Sequence, residues 1–561
     1  MPFRCLAAVA LLTAPAALPA ADDPLDAFPA DAGAVLRLGS PTELTTKAKA
    51  FLNQAAPQFA LLADQLGPGI GSLIGNPTLA GVDATSDVYV AVFPRPEKRP
   101  SVVFAVRTAD SAALKKAIGQ GYGSADYEDW VVYSLDAETV KAVQALIGGE
   151  GTAVRGSIPE SLGPSFRDGE FAAFLNVPAL RDAYRQQIDE VRRRLADKAG
   201  TETEPAAQAG LDGSRHLLET LLTAVEDASA VAGHIAIADD ALLSQAVAVV
   251  KPDSASARFL AKQAPSGFPL LAKLPQARLA YFAVAGDLGE LVAASARTSL
   301  KTHAEYGQLQ KPLEELQKFH FSEIVGVFDF GDVESGVYRS ISLTKVDRPE
   351  EFLGVVRELV KTMGEVEADG LQQDVALQPD AETVEGIKVD VITVSTTASD
   401  PNDEQAAAAQ RLLKTLFGKD GLTERIAVVD GLFLQTTGDG TMETAIKAIR
   451  GESSGDETVQ AAAKATRSAL GEQSNLLVIV DLPRLLGGGL QLAVEAGTLP
   501  LPIDPKAIED VDLAPSYTGV GAVAAKNEVR LRGKMPASQV GGLVDLLMVL
   551  QKAAPRRNQA E

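Results

Sequence analysis

The sequence predicts an α+β protein made of two tandem related lobes, each a mostly antiparallel sheet with helices packed on one face. Three observations carry that expectation. Apolar residues alternate in short runs divided by tight turns, which is how antiparallel strands with one buried face read. Two runs, "FAAFLNVPAL" from 171 and "LLVIVDLPRL" from 476, end in a polar residue, an aliphatic, a proline and a leucine. Proline has no N–H for a ladder, so it closes a strand, and its fixed φ suits the first turn of a helix. Finally, five such elements of the first half recur in the same order in the second.

The first lobe begins with "PADAGAVLRLGSPTEL" from Pro29, a strand and a helix start with Ser40 as N-cap and Pro41 in the first turn. Strands follow at 87–93 and 101–107 around a proline-rich connection, and then a helix. "EDWVVYSLDAETVKAVQAL" adds a strand, Asp136 as a cap and a helix, and "GEFAAFLNVPALRDAY" repeats the scheme with Asn176 as the cap. "SAVAGHIAIADDALLSQAVAVVKPDSASARFL" is a hairpin turned at Asp239-Asp240, with a helix after Pro252. In the second lobe the same five places are taken by "LPQARLAYFAVAGDLGEL" (274), the strand pair and helix from 322, "DGLFLQTTGDGTMETAIKAI" (430), "SNLLVIVDLPRLL", and a last hairpin turned at Lys526-Asn527 with Pro536 opening its helix. Asp481 stands where Asn176 stood.

Length alone suggests roughly three or four domains, and the recurrence reduces them to two. The expected boundaries are a signal peptide over 1–20, a first lobe over 21–265, a second over 274–552 and a disordered tail over 553–561. Segments 196–213, 363–386 and 396–405 read as inserted or exposed, the last a loop with a helix cap.

Residues 1–20 carry Arg4, an apolar stretch from Cys5 to Leu18, and a small residue at Ala20 or Ala21 for cleavage. That predicts an extracytoplasmic protein, periplasmic or secreted. Cys5 is the single cysteine and leaves with the leader, so the mature chain offers no disulfide, thiolate ligand or cysteine nucleophile. No later segment reads as long and apolar enough to cross a bilayer, because "LLVIVDLPRLLGGGLQLAV" carries Asp481 and Arg484. The net charge of −22 and 5% aromatics exclude a nucleic-acid partner, which needs a basic footprint and stacking rings.

Catalytic patterns are found and set aside. "GESSG" places Ser453 in a polar loop after a helix, with no histidine beyond His320 to complete a triad. "SLTK" puts Ser342 and Lys345 on an alternating strand, on opposite faces. His216, His234, His303 and His320 have no zinc-binding spacing, and His234 reads as a hydrogen-bonded strand residue. "LGPGIGSLIG" (66–75) and "GQGYG" (119–123) read as turns, and Asp329, Asp332 and Glu334 as acids of a hairpin turn. No catalytic residue, metal ligand or cofactor is expected, and the ligand-binding residues stay unassigned.

"PADAGAVLRLGS", "VVFAVRTADSAALKKAI" and "FAAFLNVPALRDAY" resemble stretches of large secreted planctomycete-type bacterial proteins of unknown function. The resemblance implies no activity and carries over no site. The expectation is a secreted or periplasmic, non-catalytic binding or scaffold protein, its partner an unknown protein or apolar ligand. A carrier of lipid or another apolar ligand is the alternative, and a hydrolase with a carboxylate-based site the second alternative.

Overall fold

The computed structural model describes residues 23–201, 219, 222–300, 306–331, 336–368, 371–400, 403–452, 456–495, 505–509, 511 and 514–553. The expected leader, His216, His303, Asp332, Glu334, Ser453, most of the 196–213 segment and the tail from 554 lie outside them.

Among the described residues nineteen strands form one sheet. In chain order they are β1 (Ala34–Leu38), β2 (Val88–Phe93), β3 (Ser101–Arg107), β4 (Gly123–Tyr127), β5 (Trp130–Ser134), β6 (Phe171–Leu175), β7 (Ala228–Ile237), β8 (Ala241–Val250), β9 (Ala280–Ala285) and β10 (Phe321–Phe330). The rest are β11 (Tyr338–Val346), β12 (Glu365–Ala368), β13 (Leu371–Val384), β14 (Ile387–Ala398), β15 (Leu422–Val429), β16 (Leu432–Thr437), β17 (Leu476–Val480), β18 (Thr518–Ala525) and β19 (Glu528–Pro536). Their pairings, all antiparallel, set the order across the first half as β4-β5-β3-β2-β1-β6-β7-β8. β8 then pairs β19 over nine residues, from Ala241↔Pro536 to Val249↔Glu528. The sheet continues β19-β18-β17-β9-β10-β11-β16-β15-β14-β13-β12.

Helices cover both faces, which corrects the expectation of helices on one. Runs such as "VYVAVF" (β2) and "WVVYS" (β5) are apolar at both parities and bury both sides. On one face, called upper here, Val35, Ala91, Trp130 and Phe174 pack with Val143 and Phe166 of helices Ala137–Ile147 and Gly163–Arg167. Farther along it, Val325, Ile341 and Leu434 pack with Ile446 and Leu470 of helices Thr441–Ile449 and Glu457–Leu470. On the lower face, Val90, Phe104 and Tyr133 meet Leu44 and Leu114 of helices Pro41–Ala55 and Ser111–Ile118. At its other side Phe321 and Phe433 meet Phe352, with ring centroids 5.2 and 4.8 Å away.

Punctuation sits where the residues put it. Ser40, Asp136, Asn176 and Asp403 are N-caps whose side chains accept from backbone N–H groups of the first turn. The hairpin turns fall at 238–240 and at Lys526-Asn527. "LGPGIGSLIG" is a correction: Leu66–Leu73 is a helix, not a turn. Its glycines cost helix stability, but Ile70 and Ile74 are buried beside Tyr133, whose hydroxyl donates to Ile74 O at 2.8 Å. The 363–386 segment contains β12 and the exposed, alternating β13, which extend the sheet.

Candidate binding face

Register decides which side chains share a face, since directly opposed residues point the same way. Leu36 of β1 lies opposite Ala173, Ala173 opposite Gly233, and the row runs on through Ala246, Leu531, Ala522 and Leu476 to Val284 of β9. A second row reads Phe171, Ile235, Ser244, Gly533, Val520, Val478 and Phe282. Both belong to the lower face, because the first continues through Val90 and Phe104 to Tyr133.

At its two sides this face is roofed by helices; at its centre no helix of the described residues covers it. Leu36, Leu175, Ile235, Phe282, Leu476, Val478, Val520 and Leu531 are 37% to 44% exposed, all on adjoining strands of one face. Between them stand mostly alanine and glycine, and Ser244 is the one polar residue of the two rows. Eight strands at about 4.8 Å spacing make a floor roughly 34 Å across. One end is closed where helices Pro41–Ala55 and Ala537–Ala553 meet: Phe51, Ala55 and Ala537 pack with Ile237 and Leu242. At the other end helix Ala255–Ala261 sets Ala257 and Leu260 against Ala524 and Val529. The result is an apolar trough with a charge-free floor.

Among the described residues no titratable cluster competes with it. His234 lies on the upper face and its Nδ1 donates to Ser165 O at 3.0 Å, a structural bond. Ser342 and Lys345 lie on β11 and do not meet. Asp329 accepts from Arg278 N, and His320 is exposed. The buried acids serve the backbone. Glu323 accepts from Leu270 N at 3.0 Å, and Glu170 binds Lys47 and Ile237 N. Asp481 accepts from Arg484 N and Gln539. Burial pushes the carboxyls of Glu323 and Asp481 up. Glu424, also raised by burial, accepts from Gln435 at 3.1 Å. A cleft of about 830 Å³ lies beside Phe93–Lys98, where Arg95 is bound to Asp136 and Glu138. Among the described residues no group of His, Cys, Asp and Glu could hold a metal ion, and no helix is long and apolar enough to cross a membrane.

An apolar groove underlies the carrier alternative, but its place was not foreseen from sequence. Alternation says that one face of a strand is buried, not which face is left open. The available signal was the mixing of large apolar residues with alanine and glycine along β6, β7 and β18. Comparison with protein-family models, with curated proteins and with solved structures returns no match.

Proposed function

We propose that the chain is an extracytoplasmic, non-catalytic binding protein that takes an apolar ligand of the acyl-chain type on the lower face of its central strands. One observation carries this reading: eight large apolar side chains, each more than a third exposed, on a single uncharged floor. A monomer rarely leaves so large a contiguous apolar surface to water without a use. Aliphatic side chains separated by alanine and glycine leave shallow slots suited to methylene chains, and each buried CH₂ is worth about 0.8 kcal/mol. The leader-like N-terminus and the acidic composition speak for a place outside the cytoplasm. A hydrolase is disfavoured because the buried acids named above are each already engaged. A scaffold that docks an apolar partner protein is the second reading, favoured by the breadth of the trough.

We further propose that the two halves descend from one duplicated segment. The pairing order β4-β5-β3-β2-β1-β6-β7-β8 has its counterpart in β15-β16-β11-β10-β9-β17-β18-β19, with β12 to β14 as an addition. Asn176 N donates to Gly33 O and Asp481 N to Leu279 O, each just before the matching proline. Glu170 N donates to Ile235 O, and Asn475 N to Ala522 O, at the start of each partner strand.

The test is native mass spectrometry of the protein purified from its host, followed by titration with a fluorescent fatty acid. A bound lipid mass, and affinity cut at least tenfold by Val520→Lys with Leu531→Lys (about 1.4 kcal/mol or more), are expected. A bare mass with no fatty-acid binding would overturn the acyl-ligand reading and leave the scaffold.

A further inference from the structure

The upper face of the same central strands has the opposite chemistry. Arg530, Arg532 and Lys534 alternate along β19 and so share a face. They lie opposite Val247, Gln245 and Leu243 of β8, and opposite Val523, Gly521 and Gly519 of β18. Val247 belongs to the upper-face core, which places all three cations there.

They stand in a gap between two helices. On one side Ser165 of helix Gly163–Arg167 accepts from Gln245 Nε2 at 3.3 Å, and its carbonyl binds His234. On the other side, Thr466 and Leu470 of helix Glu457–Leu470 pack over Gly519. The next residue, Gly471, leaves so little room that a Cβ there would sit 2.8 Å from Arg532 Nη1. Arg530 is paired with Glu528 at 3.0 Å. Arg532 and Lys534 have neither hydrogen-bond nor ion-pair partner among the described residues. In a chain with 74 acids to 52 bases, two neighbouring unpaired cations in a gap stand out. The C-terminal carbonyls of helix Glu457–Leu470 favour a cation near Arg532, but they leave its outer donors and all of Lys534 unused.

We propose that this gap binds an extended acidic peptide segment, lying along β19 with alternate carboxylates on Arg530, Arg532 and Lys534. The period supports a peptide: alternate side chains of an extended chain are about 6.6–6.8 Å apart, the same repeat that spaces the three cations. A guanidinium fork takes a carboxylate through two hydrogen bonds. A compact anion could engage one or two of the three groups, whereas an extended acidic chain uses them all.

The test is fluorescence anisotropy on the intact protein, with a labelled alternating Asp-Thr peptide as probe. A peptide of the same composition with its aspartates contiguous, tripolyphosphate and oligogalacturonate serve as competitors. The alternating peptide should bind best, more weakly as salt rises. Arg532→Gln with Lys534→Gln should weaken it at least about tenfold, Lys534→Gln alone by an intermediate factor, and Arg99→Gln, on an exposed loop, not at all. Val520→Lys, on the opposite face, should leave it unchanged, which keeps this site separable from the trough. Equal binding by the double variant, or capture of tripolyphosphate or oligogalacturonate in preference to the peptide, would overturn the proposal.

Discussion

Asp481 and Asn176 do one job with different chemistry. Each caps the helix that follows its strand, accepting from the N–H three residues on. Asp481 is 1% exposed, and burial raises its carboxyl pKa despite Gln539 and Arg484. A carboxyl with a raised folded-state pKa binds its proton more tightly folded than unfolded. Stability is therefore lost as pH climbs from the ordinary aspartate range through the folded value. Asp481→Asn, the residue already used at 176, should cap equally well and remove that penalty. Urea denaturation should find the variant more stable at pH 7, with the difference vanishing in acid. A less stable variant at neutral pH would show that the charge itself is needed, through Arg484.

At the scale of elements, helix Pro349–Met363 is tied to β14 by one ion pair. Arg357 Nη2 meets Asp390 Oδ1 at 2.7 Å, and Asp380 N donates to the same oxygen at 2.8 Å. Burial pushes the Asp390 carboxyl up, yet the Arg357 bonds and the Asp380 N–H outweigh it and hold the group below the usual range. Its contribution is therefore full above the ordinary aspartate pKa and is lost as pH falls through the depressed folded value. Arg357→Ala leaves a 1%-exposed carboxylate unpaired, a loss of about 3 kcal/mol. Thermal melts across pH should show the gap between the two proteins widest near neutrality and narrowing in acid, because only the wild type has this contribution to lose as Asp390 takes up its proton. That helix and the β10–β11 pair before it were readable, because alternation, helical period and proline are local signals, whereas β13 and β14 fell in and beside a segment read as inserted or exposed. The hairpin strands β4 and β15 were not readable: "GSADY" is short and polar, and in place it is paired with "WVVYS" through a turn with Glu128 at φ 52°. Nor was the open trough, because which strand face stays bare depends on pairings between residues as distant as Ala246 and Leu531.

For the whole molecule, the ledger of buried contacts divides near the middle of the chain. Two of the large apolar clusters draw only on residues from Leu25 to Val249, and the other two only on residues from Phe268 to Tyr517. Among the described residues, what chiefly joins them is the nine-residue β8–β19 ladder and two small clusters, one around Ala257 and Ala524, the other around Ala55 and Ala537. A ladder lined on one side by the open trough buries little, so the coupling it transmits is small beside the stability of either core. The chain should therefore unfold in two steps instead of one. The single tryptophan makes this measurable: Trp130 lies in the first-half core, 6% exposed, with Tyr89 edge-on at 5.6 Å. Its fluorescence reports on the first half alone, while circular dichroism reports on both. In urea the two curves should separate, and calorimetry should resolve two transitions. Coincident curves with one calorimetric peak would mean that the ladder binds the halves into a single cooperative unit, and the proposed division into two related bodies would fail with them.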